Sequence, residues 1–161
     1  MSNDKIIETI PVGPLGLIPL ASCTGLGQKV NDYLVEWRNN RESEHKSTIA
    51  FSGYQKNSFI INAKIPRFGS GEAKGTLQQS VRGDDIYIMV DVCNYSLTYS
   101  MFGNVNHMSP DDHFQDLKRI IAAIGGKARR INVIMPFLYE SRQHKRSGRE
   151  SLDCALGLQE L

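Results

Sequence analysis

The chain has 161 residues, 40% of them apolar, which is enough for one domain of ordinary size to fold without disulfides or metal. Lys and Arg number 19 against 17 Asp and Glu, a net charge of only +2, which excludes a protein that coats a polyanion over its whole surface. No apolar run reaches about 18 residues, so no ordinary membrane-spanning helix is expected, and the opening segment MSNDKIIETIPVGPLGLIPLAS is too broken by acid and proline for a secretory signal.

The first strand is predicted over 16–22, despite Pro19. Leu26, Val30, Tyr33, Leu34 and Trp37 then recur at helical spacing and predict an amphipathic helix over 25–38 with Thr24 as its N-cap. Residues 39–57 are polar, lack a period and read as a solvated loop. A strand over 58–66 follows, then a glycine-rich turn at 68–72 and a return arm over 73–81, together a β-hairpin. Residues 86–92 (IYIMVDV) are nearly continuous in apolar side chains, as in a strand buried on both faces of a parallel sheet. Residues 94–108 form a long connection without a clear period, which marks them as functional or inserted.

The next helix is the best signalled. Ser109 is its N-cap, Pro110 its first residue, and Asp111 and Asp112 complement the dipole. Phe114, Leu117, Ile121 and Ile124 make its apolar face, and Gly125-Gly126 ends it. A strand over 131–137 completes a right-handed βαβ unit across 85–137. The alternation of elements predicts an α/β fold with a mainly parallel sheet.

Ligands of open α/β sheets gather at the carboxyl ends of the strands. After the last predicted strand, Arg142, Lys145, Arg146 and Arg149 follow closely, with no acid between Glu140 and Glu150. Such a cluster suits a phosphate or nucleotide, because arginine offers a planar donor fork and stacks on a purine. A solvated basic loop remains the plainer alternative. His144 lies inside this cluster. His113, beside the acidic first turn of its helix, reads as a surface residue. Cys23, Cys93 and Cys154 show no ligand spacing and read as buried thiols of a reducing compartment. No dinucleotide fingerprint, Walker sequence or nucleophile elbow is present.

Three motifs occur in a telling order: Phe68-Gly69-Ser70-Gly71-Glu72, then VRGDDIYI at 81–88, then VIMPFLYESRQHKR at 133–146. Over 66–155 this order resembles the N-terminal half of the ribose-phosphate pyrophosphokinase (phosphoribosyl pyrophosphate synthetase) family. The family pattern is Phe-Ser-Asp-Gly-Glu, a Val-Arg-Gly-x-Asp strand entry, and a Pro-Tyr-x-x-Tyr-Ala-Arg-Gln-Asp-Arg-like segment.

The resemblance implies a three-layer α/β, phosphoribosyltransferase-like N-terminal domain with a mainly parallel sheet and a projecting β-hairpin. Residues 1–161 would be a single domain, the N-terminal half of a longer two-domain protein. The implied reaction moves the β,γ-diphosphoryl group of Mg2+-bound ATP to ribose 5-phosphate. Phe68 would pack against adenine, and Glu72 would help hold it from a neighbouring copy in a homo-oligomer. Arg142 would stack on adenine and bind phosphate, with Gln143 beside it. The family's metal-binding histidine, catalytic loop and ribose-phosphate loop belong beyond residue 161. The fragment is therefore expected to hold no catalytic residue and no metal ligand, and to be inactive alone.

Ser70 replaces the family's Asp between Phe and Glu, and His144 replaces the Asp after Arg-Gln. Relative to the family's usual compact form, residues near 39–57 and 94–108 read as insertions. These departures keep a second reading open, a non-catalytic relative that binds nucleotide or scaffolds active subunits. A nucleic-acid module built on 142–149 is disfavoured by the near-neutral charge. Neither nucleic acid nor membrane is an expected partner, and a cytoplasmic location is expected.

Overall fold

A computed structural model describes residues 11–43, 56–151 and 153–161. In chain order its elements are β1 (Leu15–Pro19), α1 (Thr24–Ser43), β2 (Ala63–Lys64), β3 (Thr76–Leu77), β4 (Asp85–Met89), β5 (Thr98–Met101), β6 (Asn104–His107), α2 (Pro110–Ile124), β7 (Arg130–Ile134) and α3 (Asp153–Gln159). A 3-10 turn over Ala21–Cys23 leads directly into α1.

β1, β4 and β7 form a parallel sheet in the order β1-β4-β7, with Ile18 opposite Ile88 and Ile88 opposite Val133. The central position of β4 explains its apolar run: Ile86 and Ile88 are fully buried. With Ile18 they share one core with Phe114, Leu117, Ile120 and Ile124 of α2. The β4–α2–β7 crossover is the expected βαβ unit, and the α/β class with a parallel sheet stands. Burying one fully covered Ile side chain contributes about 2 kcal/mol, so this apolar layer is the main source of the fold's stability.

α2 begins and ends as its sequence predicts. The Asp112 N–H donates to Ser109 Oγ at 3.1 Å, and the Asp112 carboxylate accepts from the Ser109 N–H at 2.9 Å. This reciprocal capping box satisfies two donors that the first turn leaves open. Gly125 closes the helix with φ 57, a left-handed conformation that costs glycine little.

α1 departs from expectation in three ways. It runs five residues past Arg38, to Ser43, because residues 39–43 contain no glycine or proline to stop it. Thr24 is not an N-cap: it is already helical, and its Oγ1 donates back to the Ala21 carbonyl at 3.2 Å. The apolar stripe does not face the core. Leu26, Tyr33 and Trp37 are exposed, while Cys23, Gly27 and Asn31 are buried. Two local causes select that face. A side chain at Gly27 would collide with Pro19, so glycine lets the helix close on β1. Asn31 Oδ1 accepts from the Phe59 N–H at 2.7 Å, satisfying a backbone donor that burial would otherwise strand. Of the loop expected at 39–57, residues 44–55 lie outside the described residues.

The strand expected at 58–66 is reduced to a parallel bridge between Ile60 and Leu17 and the short β2, which pairs antiparallel with β3. The other strands also stop early. β1 ends at Pro19, β4 at Met89 and β7 at Ile134, so the residues after them are loops at the sheet's carboxyl end. Of the three cysteines only Cys23 is buried. Cys93 is exposed and Cys154 half-buried, which corrects the expectation of three buried thiols.

The long connection at 94–108 is a hairpin. β5 and β6 pair antiparallel, with Met101 opposite Asn104. Phe102 and Gly103 make the two-residue turn with φ 49 and 81, both positive, as in the primed turns that match strand twist. Tyr95 stacks on His107 across the hairpin's base, with ring centroids 4.2 Å apart.

Candidate functional site

The 68–72 turn is tight and outward-facing. The Phe68 N–H donates to the Glu72 carbonyl at 2.7 Å, and the Gly71 N–H to the Phe68 carbonyl at 2.9 Å. Gly71 has φ 91, which excludes most side chains there. Phe68 is 56% exposed, and Glu72 is exposed beside it. Ser70 Oγ donates to Glu72 Oε2 at 3.1 Å, so a hydroxyl stands beside the one remaining carboxylate.

Arg67 fixes this turn to the domain. Its Nη1 donates to the Gly71 carbonyl and its Nη2 to Asp116 Oδ2, both at 3.0 Å. Asp112 Oδ1 lies 3.6 Å from Nη1, and the Tyr99 ring lies 4.5 Å from the guanidinium carbon. Asp116 is also bonded by Arg119 at 2.7 Å. Burial pushes the Asp116 carboxyl above the usual carboxylate range, outweighing the pull of both guanidiniums.

The basic segment is anchored at its other end by Tyr139. That ring stacks on Phe114 with centroids 4.1 Å apart, and its hydroxyl donates to Asp111 Oδ1 at 2.6 Å. The bond to Asp111, helped by burial, holds the phenol proton well above its ordinary range. Gly157 of α3 packs against the same ring, where a Cβ would lie 3.1 Å from it. Beyond Tyr139 the chain turns at Glu140, which has φ 54, and the Gln143 N–H donates to the Glu140 carbonyl at 2.9 Å. Arg142, His144, Lys145, Arg146 and Arg149 are exposed, and Gln143 is half-buried. Glu150 accepts from the Ser147 N–H and hydroxyl, at 2.6 and 2.8 Å, and these bonds hold its carboxyl below the usual range.

The first two turns of α2 thus organise both groups: Asp112 and Asp116 hold the Phe68 turn through Arg67, and Asp111 holds the basic segment through Tyr139. No hydrogen bond, ion pair or ring contact among the described residues joins Phe68 or Glu72 to Arg142 or Gln143. They stand as two separate groups of one chain. His113 is not a surface residue, as its place in an acidic turn suggested. It is 2% exposed, with Nε2 2.7 Å from the Asn94 carbonyl. A carbonyl only accepts, so Nε2 carries the proton. His113 therefore fixes the loop after β4.

Arg67, Asp116, Tyr99 and Tyr139 were missed from the sequence as organising residues. One signal was available: Asp116 interrupts the apolar stripe of α2, where an acid survives only with a buried partner.

The described chain is thus a parallel α/β domain that carries an anchored aromatic turn and, beyond a strand's carboxyl end, an exposed cationic segment. Residues 15–161 match the family model described as the N-terminal domain of ribose phosphate pyrophosphokinase, and the chain belongs to that family. The match is wider than the 66–155 that the motifs covered. Among solved structures, phosphoribosylpyrophosphate synthetase from Mycobacterium smegmatis is similar in fold, with a TM-score of 0.55 at 19% identity. That likeness covers 91% of this chain and 38% of the other. No curated protein matches the chain in sequence.

Proposed function

We propose that this chain supplies the ATP-binding side of a ribose-phosphate pyrophosphokinase, whose complete form makes phosphoribosyl pyrophosphate and AMP from ATP and ribose 5-phosphate. The observation that carries this reading is Phe68: a large apolar ring, 56% exposed, on a turn pinned by a largely covered arginine. A ring held outward at that cost in solvation suits stacking on a planar base. Glu72 accepts from the base's amino group. Arg142 stacks on the base and pairs with phosphate oxygens, and Gln143 adds a donor. The separation of the two groups within one chain supports a homo-oligomer, in which Phe68 and Glu72 of one copy meet Arg142 and Gln143 of another.

Mg2+ enters with the nucleotide's phosphates, where it neutralises charge. Among the described residues no three His, Cys, Asp or Glu side chains converge to hold a metal ion, and no step is assigned to it. Ribose 5-phosphate is held outside residues 1–161, so these residues alone do not turn over. Membership of the family supports a cytoplasmic location; separately, no helix among the described residues is long and apolar enough to cross a membrane. An AMP-release assay with ATP and ribose 5-phosphate tests this division of labour. Residues 1–161 alone are expected to give no AMP above the blank, and clear turnover by them refutes it.

Ser70 favours a second reading. Its hydroxyl occupies one oxygen of Glu72 where the family carries another carboxylate. A non-catalytic subunit that binds nucleotide and scaffolds active copies tolerates that loss. It is distinguished by ATP binding without AMP formation in the complete protein.

A further inference from the structure

The hairpin of β5 and β6 has no role in the reading above, and its tip is expensive in an informative way. Both residues of its turn have positive φ, Phe102 at 49 and Gly103 at 81. The first position of such a turn favours Asn, Asp or Gly, whereas a bulky residue is strained there. Phe102 recovers nothing by burial, being 78% exposed. Fold stability alone gives no reason for a phenylalanine at this position.

Its location supplies one. The Phe102 N–H donates to the Gly69 carbonyl at 2.9 Å, which ties the hairpin tip to the residue next to Phe68. Met101 Sδ lies where a Gly71 side chain would point, 2.8 Å from the Cβ position. The hairpin's Tyr99 covers the Arg67 guanidinium that pins the turn. Turn and hairpin are therefore one rigid arm that carries two outward aromatic residues. Neither Phe68 nor Phe102 is stacked on another ring among the described residues.

We infer that Phe102 is a second aromatic contact for the nucleobase bound at the Phe68 turn, a binding residue contributed by the 94–108 hairpin. This rests on the proposed ATP-side function and adds to it a residue that determines base affinity. A planar base is the chosen occupant because two rings on one anchored arm offer stacking without hydrogen-bond readout, as in other aromatic base platforms.

The test is Phe102→Asn, which places the favoured residue in the turn and preserves the hairpin. ATP and inorganic triphosphate are titrated calorimetrically into the full chain, with Phe68→Ala alongside. The expected result is ATP affinity lowered about tenfold in Phe102→Asn, triphosphate affinity unchanged, and a melting temperature equal to or above the parent's. Parental ATP affinity in Phe102→Asn, with loss in Phe68→Ala, overturns this inference and leaves the proposed function standing. Equal weakening of ATP and triphosphate overturns it as well, because the effect then lies outside the base. Dissociation of an oligomer by Phe102→Asn assigns the ring to a contact between copies and overturns it. Absence of ATP binding by the parent overturns both proposals.

Discussion

Replacing Arg67 with methionine tests how the candidate site is held. Methionine keeps most of the apolar stem but removes the guanidinium, and with it the bonds to the Gly71 carbonyl and Asp116, both 3.0 Å. It also removes the contact with the Tyr99 ring. The Asp116 side chain is only 9% exposed, so its carboxylate is left buried beside Arg119 alone. Breaking a buried pair from one side costs about 3–5 kcal/mol, and the surviving 2.7 Å bond from Arg119 sets the expectation near 3 kcal/mol. For a domain this size that lowers the melting temperature by about 10 °C. The pH dependence follows from Asp116. Burial already holds its carboxyl above the usual range, and losing Arg67 raises it further. A carboxyl with a raised folded pKa binds more protons in the native state, so stability increases as pH falls through that value. Urea unfolding at about pH 7 and about pH 5 should therefore show the gap between variant and parent narrowing at the lower pH. A loss under about 1 kcal/mol at neutral pH, or a gap that does not narrow, refutes the reasoning.

The other predictions concern the sheet and the turn. Asp85 accepts from Arg130 Nε and Nη2 at 2.8 and 2.6 Å, and these bonds hold its carboxyl below the usual range against burial. Its contribution is thus present above the unfolded carboxylate pKa and lost as pH falls through the folded one. Asp85→Asn should destabilise at neutral pH, with the difference closing in acid, as thermal melts across pH will measure. Gly71→Ala forces a side chain onto φ 91 and against Met101, and should cost about 1 kcal/mol or more in chemical denaturation. Gly69→Ala meets nothing within 4 Å and should stay within about 0.5 kcal/mol of the parent.

The ends of α2 were legible because their signals are local. Ser109, Pro110, Asp112 and Gly125 act within a turn of where they sit. β4 was legible because burial on both faces leaves an unbroken apolar run. α1 was misread because its packing is decided at a distance. Gly27 and Asn31 look poor for a core face until Pro19 and the Phe59 N–H are brought against them. The hairpin at 94–108 escaped notice because Phe102 stands where Asn or Asp would announce the turn. Phe68, Glu72, Arg142 and Gln143 were singled out by motif order, not periodicity. Their anchors Arg67, Asp116 and Tyr139 act through long-range partners that spacing alone does not reveal.

The central claim is that Phe68, Glu72, Arg142 and Gln143 handle ATP. Calorimetric titration of ATP with Mg2+ into the parent protein and into Arg142→Ala tests it most directly. The account predicts saturable binding by the parent and affinity lowered about tenfold or more in the variant, because a charge-assisted contact and a stacking face are lost together. No binding by the parent, or equal binding by the variant, contradicts it.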